Sequence, residues 1–250
     1  MAKQFSLLSP IFGSHVSRIG FIRVLVGGFS MYMCVPPLII VYFTVSLFLY
    51  QVVLRPIFGT RIIHWADFVI IDRHRIEELS WFDKLNCQFC GYANGICTMI
   101  NVEIDEVAKM NKISFAKKLI VIPIMIAYLP LLVFVEFCLH FIYDVMVATP
   151  LGMHRVSWLQ ASKILKKEDY AKNHSGFIKW WIRVVKNAVL RFDTGLEQIE
   201  SSWCPLNHFE KRKGVVYPRH HEKFFGPDQI EEMLKVLQTV GTVSDRVPKY

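Results

Sequence analysis

The chain has 250 residues, of which 53% are hydrophobic and 20% charged, and its net charge is +8. This length admits one large domain or two small ones, and the apolar excess speaks for membrane association and against an ordinary water-soluble protein. The charge is uneven: between Arg155 and Arg191, nine Lys and Arg stand against Glu168 and Asp169, a local balance of +7. A basic patch can attract nucleic acid, but one that follows an apolar run suits the anionic headgroups of a bilayer better.

Residues 1–20 form a mixed N-terminal segment without a small-residue cleavage site, so no cleavable signal is expected. The first membrane segment is 21–54; it carries no charge from Val24 to Leu54 and contains Cys34. It exceeds the roughly 20 residues that cross a bilayer as a helix. Pro36-Pro37 interrupts it, and a proline inside a helix removes a hydrogen bond and clashes with the preceding turn.

Residues 55–117 form a polar insert. In it, DFVIID (67–72) reads as a short strand and RIEELSWFDKL (75–85) as a helix leading into Cys87 and Cys90. EIDE (103–106) reads as a charged surface turn or helix start. His64 and His74 flank the strand and read as surface or packing groups, although His74 with Glu77 and Glu78 can approach a metal.

The second membrane segment is 118–149. Between Leu119 and Thr149 only Glu136 and Asp144 are charged at neutral pH, Cys138 lies inside, and Pro123 and Pro130 break the pattern. The prolines leave two topologies open. Either each segment is a kinked spanning helix, or each dips in and returns as a re-entrant hairpin, which keeps insert and tail on one face. The insert has eight Lys and Arg and the tail 17, too basic to nominate either as translocated. Both are therefore expected on the cytoplasmic face.

Residues 150–250 form a basic tail. In SGFIKWWIRVVKNAVLRF (175–192), Phe177, Trp180, Trp181, Val184 and Ala188 follow helical spacing, with Lys179, Arg183 and Lys186 on the other side. The reading is an interfacial helix lying on the bilayer, with a core helix of the tail as the alternative. GPDQIEEMLKVLQTVG (226–241) reads as an ordinary soluble helix, and His220-His221 as part of a solvated loop.

Two constellations carry chemistry. Cys87-x-x-Cys90-Gly91-Tyr92 and Trp203-Cys204-Pro205-Leu206 resemble the two metal-binding knuckles of rubredoxins, over about a dozen residues in two pieces. The resemblance implies one metal ion shared by insert and tail, with thiolates from Cys87, Cys90 and Cys204. Asn207 stands where a rubredoxin has its fourth cysteine, so either His208 or Cys97 completes the shell. Three thiolates and an imidazole suit zinc, and an all-thiolate shell also suits a single iron. In the second constellation, Glu136, His140 and Asp144 recur at four-residue intervals on one helix face. Ionisable groups at membrane depth can bind a metal, relay protons or hold the polar head of a quinone or lipid; here they also fall where the helix would emerge.

There is no phosphate-binding glycine loop, dinucleotide fingerprint or Gly-x-Ser-x-Gly elbow. The paired Glu-x-x-His motifs of di-iron bundles and the histidine boxes of membrane desaturases are missing as well. The expected fold is mainly α and membrane-embedded, with two Pro-broken apolar segments and a small α+β polar part carrying the knuckle. The leading expectation is a non-catalytic accessory or scaffold protein of a membrane complex, its insert and tail clamped by zinc. The alternatives are a rubredoxin-like iron protein that passes electrons to a membrane oxidoreductase, and a lipid- or quinone-active enzyme using Glu136, His140 and Asp144.

Overall fold

The computed structural model describes residues 16, 20–69, 71, 80–141, 144 and 157–203. These are mostly helical, and no strand occurs among them. Helix α1 is Phe21–Met33 and helix α2 is Val35–Phe58. Within α2, the stretch Tyr42–Leu54 is π-helical, between α-helical turns at Val35–Val41 and Arg55–Phe58. Helix α3 is Trp81–Lys109, α4 is Phe115–His140, α5 is Trp158–Lys167 and α6 is Gly176–Trp203.

Local chemistry sets these ends. Ser80 accepts from the Asp83 N–H at the start of α3, and Ser114 from the Lys117 N–H at the start of α4. Ser157 and Gln160 form a capping box on α5. Pro36 and Pro37 occupy the first turn of α2, where the missing N–H groups have no helical partner to lose. Helix α4 continues through Pro123 and Pro130, and α2 continues past Pro36 and Pro37 to Phe58.

Helices α2 and α4 each hold a 24-residue stretch, Val35–Phe58 and Phe115–Cys138, that is long and apolar enough to cross a membrane. Core helices of a soluble protein are mostly buried, yet here the apolar windows are only 33% and 17% buried. Phe43, Phe48 and Val52 on α2 and Ile120, Val133 and Phe137 on α4 all point outward.

Side-chain pairs set the helix directions. Leu38 clusters with Ala93 and Cys97, and Ser46 bonds to Glu103, so α2 and α3 run parallel. Lys117 Nζ donates to the Ile57 carbonyl at 2.5 Å and Tyr128 Oη to that of Thr44 at 3.2 Å, so α4 runs antiparallel to α2. Asp105 meets Lys186 at 2.7 Å, and Asn101 donates to Asp193 at 2.7 Å, so α6 runs antiparallel to α3. The main core is built where α2, α3, α4 and α6 meet, around Leu49, Ile96, Met125 and Trp181.

The polar insert is therefore no small separate unit. Its helix α3 is enclosed by α2 and α6, and Glu103 and Asp105 of the EIDE stretch, expected at the surface, are 1% and 3% exposed. The α+β expectation fails for a related reason. The 3₁₀ turn Trp65–Asp67 runs into the DFVIID stretch, and its Phe68 and Val69 are buried against α3, with no strand among the described residues to pair with. The helix expected over 75–85 begins at Trp81, with 75–79 outside the described residues.

Gly95 makes that contact possible. A Cβ there would lie 2.6 Å from Val69 Cα and 2.8 Å from the Phe68 carbonyl oxygen, both backbone atoms that cannot swing aside. Gly95→Ala should destabilise the bundle by about 1–3 kcal/mol, seen as a lower midpoint of thermal unfolding in detergent.

Candidate functional site

Cys87 and Cys90 lie in the second and third turns of α3, which stays helical through Gly91 and Tyr92. The N–H groups around them serve helical bonds and so are not turned toward the sulfurs. Cys97 is seven residues beyond Cys90, about 10 Å along a helix axis. Thiolates sharing one ion lie within about 5 Å of each other, given metal–sulfur bonds of about 2.3 Å. In this helical geometry Cys97 lies too far along α3 to share one ion with Cys90. Cys204, His208, the 226–241 helix and His220-His221 lie outside the described residues, as do His74, Glu77 and Glu78. Among the described residues, no three His, Cys, Asp or Glu side chains gather into a metal site.

The α6 face also differs from expectation. Trp180 is half exposed, but Trp181 is completely buried and donates its indole N–H to the Met125 carbonyl at 3.1 Å. Lys186 is buried as well, 2.7 Å from Asp105, which also accepts from Tyr170 Oη at 2.5 Å. Lys179 and Arg183 hold Asp169 at 2.8 and 3.0 Å and keep its carboxyl below the usual range. This is the core-helix alternative; only Trp180 remains of the bilayer face proposed for the segment.

Glu136, His140 and Asp144 form two pairs. Glu136 accepts from Arg191 of α6, and His140 Nδ1 lies 2.5 Å from the Asp144 carboxylate. Arg191 also stacks its guanidinium over the Trp158 ring at 5.5 Å. Glu136, His140, Trp158 and Arg191 all line one cavity of about 420 Å³. The rest of its wall is apolar: Leu38, Val41 and Val45 from α2, Ile100 from α3, Leu132 from α4, and Val185 and Ala188 from α6. The sequence located the acidic and imidazole side of this site. It missed Arg191, 55 positions from Glu136, because nothing local ties the two together.

It also missed Asn101, Asp105 and Asp193, although a signal existed. Asn94, Thr98, Asn101 and Asp105 recur at four- and three-residue steps, a polar stripe on one face of the helix. No family model matches the chain, and neither the curated proteins nor the solved structures yield a significant match to it.

Removing one member of a buried ion pair leaves the other charge uncompensated. Lys186→Met should therefore cost about 3–5 kcal/mol. Adding Asp105→Leu should recover most of that loss, and thermal unfolding of the two single variants, the double variant and the parent measures the coupling.

Proposed function

We propose that the protein is a membrane-embedded helical bundle that holds a lipid-like amphiphile between α2, α3, α4 and α6. The observation that carries this reading is the cavity itself: apolar walls, one charged end, and a setting among helices whose outward faces are apolar. Hydrocarbon would lie against Leu38, Val45 and Val185, and the polar group would meet Arg191 and Glu136. That pair is net neutral. A phosphate head would gain the guanidinium but face the carboxylate, whereas an uncharged head offering both donors and acceptors, such as a hydroquinone or a prenyl or acyl alcohol, satisfies both. Binding suffices for this role, and catalysis by Glu136, His140 and Asp144 is not required.

Sidedness follows from charge. Arg55, Arg61, Lys109, Lys112, Lys117 and Lys118 all belong to the end of the bundle where α2 and α3 finish and α4 starts. The positive-inside rule turns that end to the cytoplasm, where anionic headgroups lie. The expected experiment is mass spectrometry of lipid co-purifying in mild detergent. The parent should carry a stoichiometric neutral-headed lipid, and Ala188→Trp, which fills the cavity, should retain at least about tenfold less. An empty parent, or equal retention by the variant, removes the reading.

The scaffold reading keeps one specific support. In the antiparallel α3–α6 pairing, Asp105 stands beside Lys186, Asn101 beside Asp193, and Ala93 clusters with Phe192 and Leu196. Continued along both helices, this register sets the end of α6 at Trp203, next in sequence to Cys204, level with Cys87 and Cys90. Zinc held by Cys87, Cys90, Cys204 and His208 would lock insert to tail at that end and give a membrane complex a rigid docking unit. Elemental analysis with a visible spectrum tests it. Stoichiometric colourless metal that is lost in Cys204→Ser supports zinc, a visible thiolate band supports iron electron transfer instead, and a metal-free parent removes both.

A further inference from the structure

Glu103 belongs to neither site. Its side chain is 1% exposed, and α3 presses it against α2. Ser46 Oγ donates to Glu103 Oε1 at 2.7 Å, and Gln51 Nε2 approaches the same oxygen at 3.4 Å. Oε2 is buried and has no hydrogen-bond partner among the described residues. Ser46 is the twelfth residue of the 24-residue stretch Val35–Phe58, so the carboxyl sits at mid-length of a helix apolar enough to span a bilayer.

The backbone of α2 is shaped around this contact. Residues five apart on an α-helix point about 140° away from each other. Ser46 and Gln51 are five apart and both reach one oxygen, because Tyr42–Leu54 is π-helical and its i→i+5 bonding brings such residues toward one side. Extended π-helix is rare, and π segments cluster at functional sites. The titratable groups of α2 facing Glu103 are the phenols of Tyr42 and Tyr50. Arg61, beside Tyr50, pairs with Glu106 at 3.5 Å, and on the other face of α3 Lys186 and Asp193 are engaged with Asp105 and Asn101.

We propose that Glu103, Ser46 and Gln51 form an internal proton-binding site, in which the carboxyl is protonated at neutral pH and gives its proton to water under alkaline conditions. A carboxylate with one bare oxygen in this apolar setting is strongly disfavoured, and a proton is the smallest ligand that neutralises it. Burial pushes the Glu103 carboxyl up to about 8, with Ser46 and Gln51 pulling the other way. A carboxyl raised in the folded state stabilises most at acidic pH, and its contribution is lost as pH rises through about 8. Deprotonation leaves a charge in the apolar contact between α3 and α2, which the donors Ser46 and Gln51 offset only in part, and so links proton release to the stability of that contact. This inference uses none of the lipid cavity, so either can fail alone.

The test is infrared spectroscopy of the full-length protein in detergent across mildly acidic to alkaline buffers, with circular dichroism to check folding. The parent should show a protonated-carboxyl C=O band at neutral pH that fades at alkaline pH and ignores added sodium or calcium chloride. The band should vanish in the near-isosteric Glu103→Gln. In Ser46→Ala, which removes a donor favouring the charged form, it should persist to higher pH. A folded parent without the band at neutral pH, a band unchanged in Glu103→Gln, or a band abolished by either salt would overturn the proposal, the last by making the occupant a metal cation.

Discussion

The structure depends on the requirement that polar groups taken out of water find partners. Helix α3 carries Asn101, Glu103 and Asp105 into the middle of an apolar bundle, and each of the three is answered from another helix: Asp193, Ser46 and Lys186. Apolar packing alone tolerates many alignments of two helices. A buried carboxylate facing a buried ammonium tolerates one, because a shift by a turn leaves two charges without partners. The α3–α6 pairing thereby fixes where the ends of both helices fall. It also fixes which residues of α6 face α2 and α4, and so sets the shape of the cavity.

That cavity follows from the same pairing. With Lys186 directed to Asp105, the next turn of α6 presents Arg191 to Glu136 and Trp158 while Val185 and Ala188 face inward. The result is a hollow whose charged pair, Glu136 with Arg191, is neutralised internally. Such a site discriminates by hydrogen bonding and shape more than by charge, and its affinity would respond little to ionic strength.

How much of this was legible follows from which signals are local. The two apolar runs were readable because a long uncharged stretch needs no partner to be recognised, and helix starts such as Ser157 with Gln160 are written within four residues. The roles of Trp181 and Glu103 were not. A tryptophan beside lysines looks the same whether it meets lipid or the Met125 carbonyl, and EIDE looks like a surface turn until Ser46, 57 positions away from Glu103, is set beside it. The course of the backbone at the Cys-x-x-Cys pair was hidden for a different reason. Its spacing suits a knuckle, yet Gly91 lies inside an amphipathic pattern long enough to keep the backbone helical. That Cys97 shares one helix with Cys90, and so stands about 10 Å along its axis, was likewise not legible from the spacing.

The long reach of the α3–α6 pairing also bears on how the chain is made. Asn101 and Asp193 are 92 positions apart, so α3 is synthesised well before its counterpart exists. Both apolar helices can be complete while α3 still carries carboxylates with no cation opposite them, too polar to enter the bilayer by itself. Its polar pairs cannot form until α6 emerges from the ribosome. Burial of α3 is thus among the last events of assembly, and a nascent chain stopped short of α6 is left with a 29-residue helix that belongs neither in water nor in lipid.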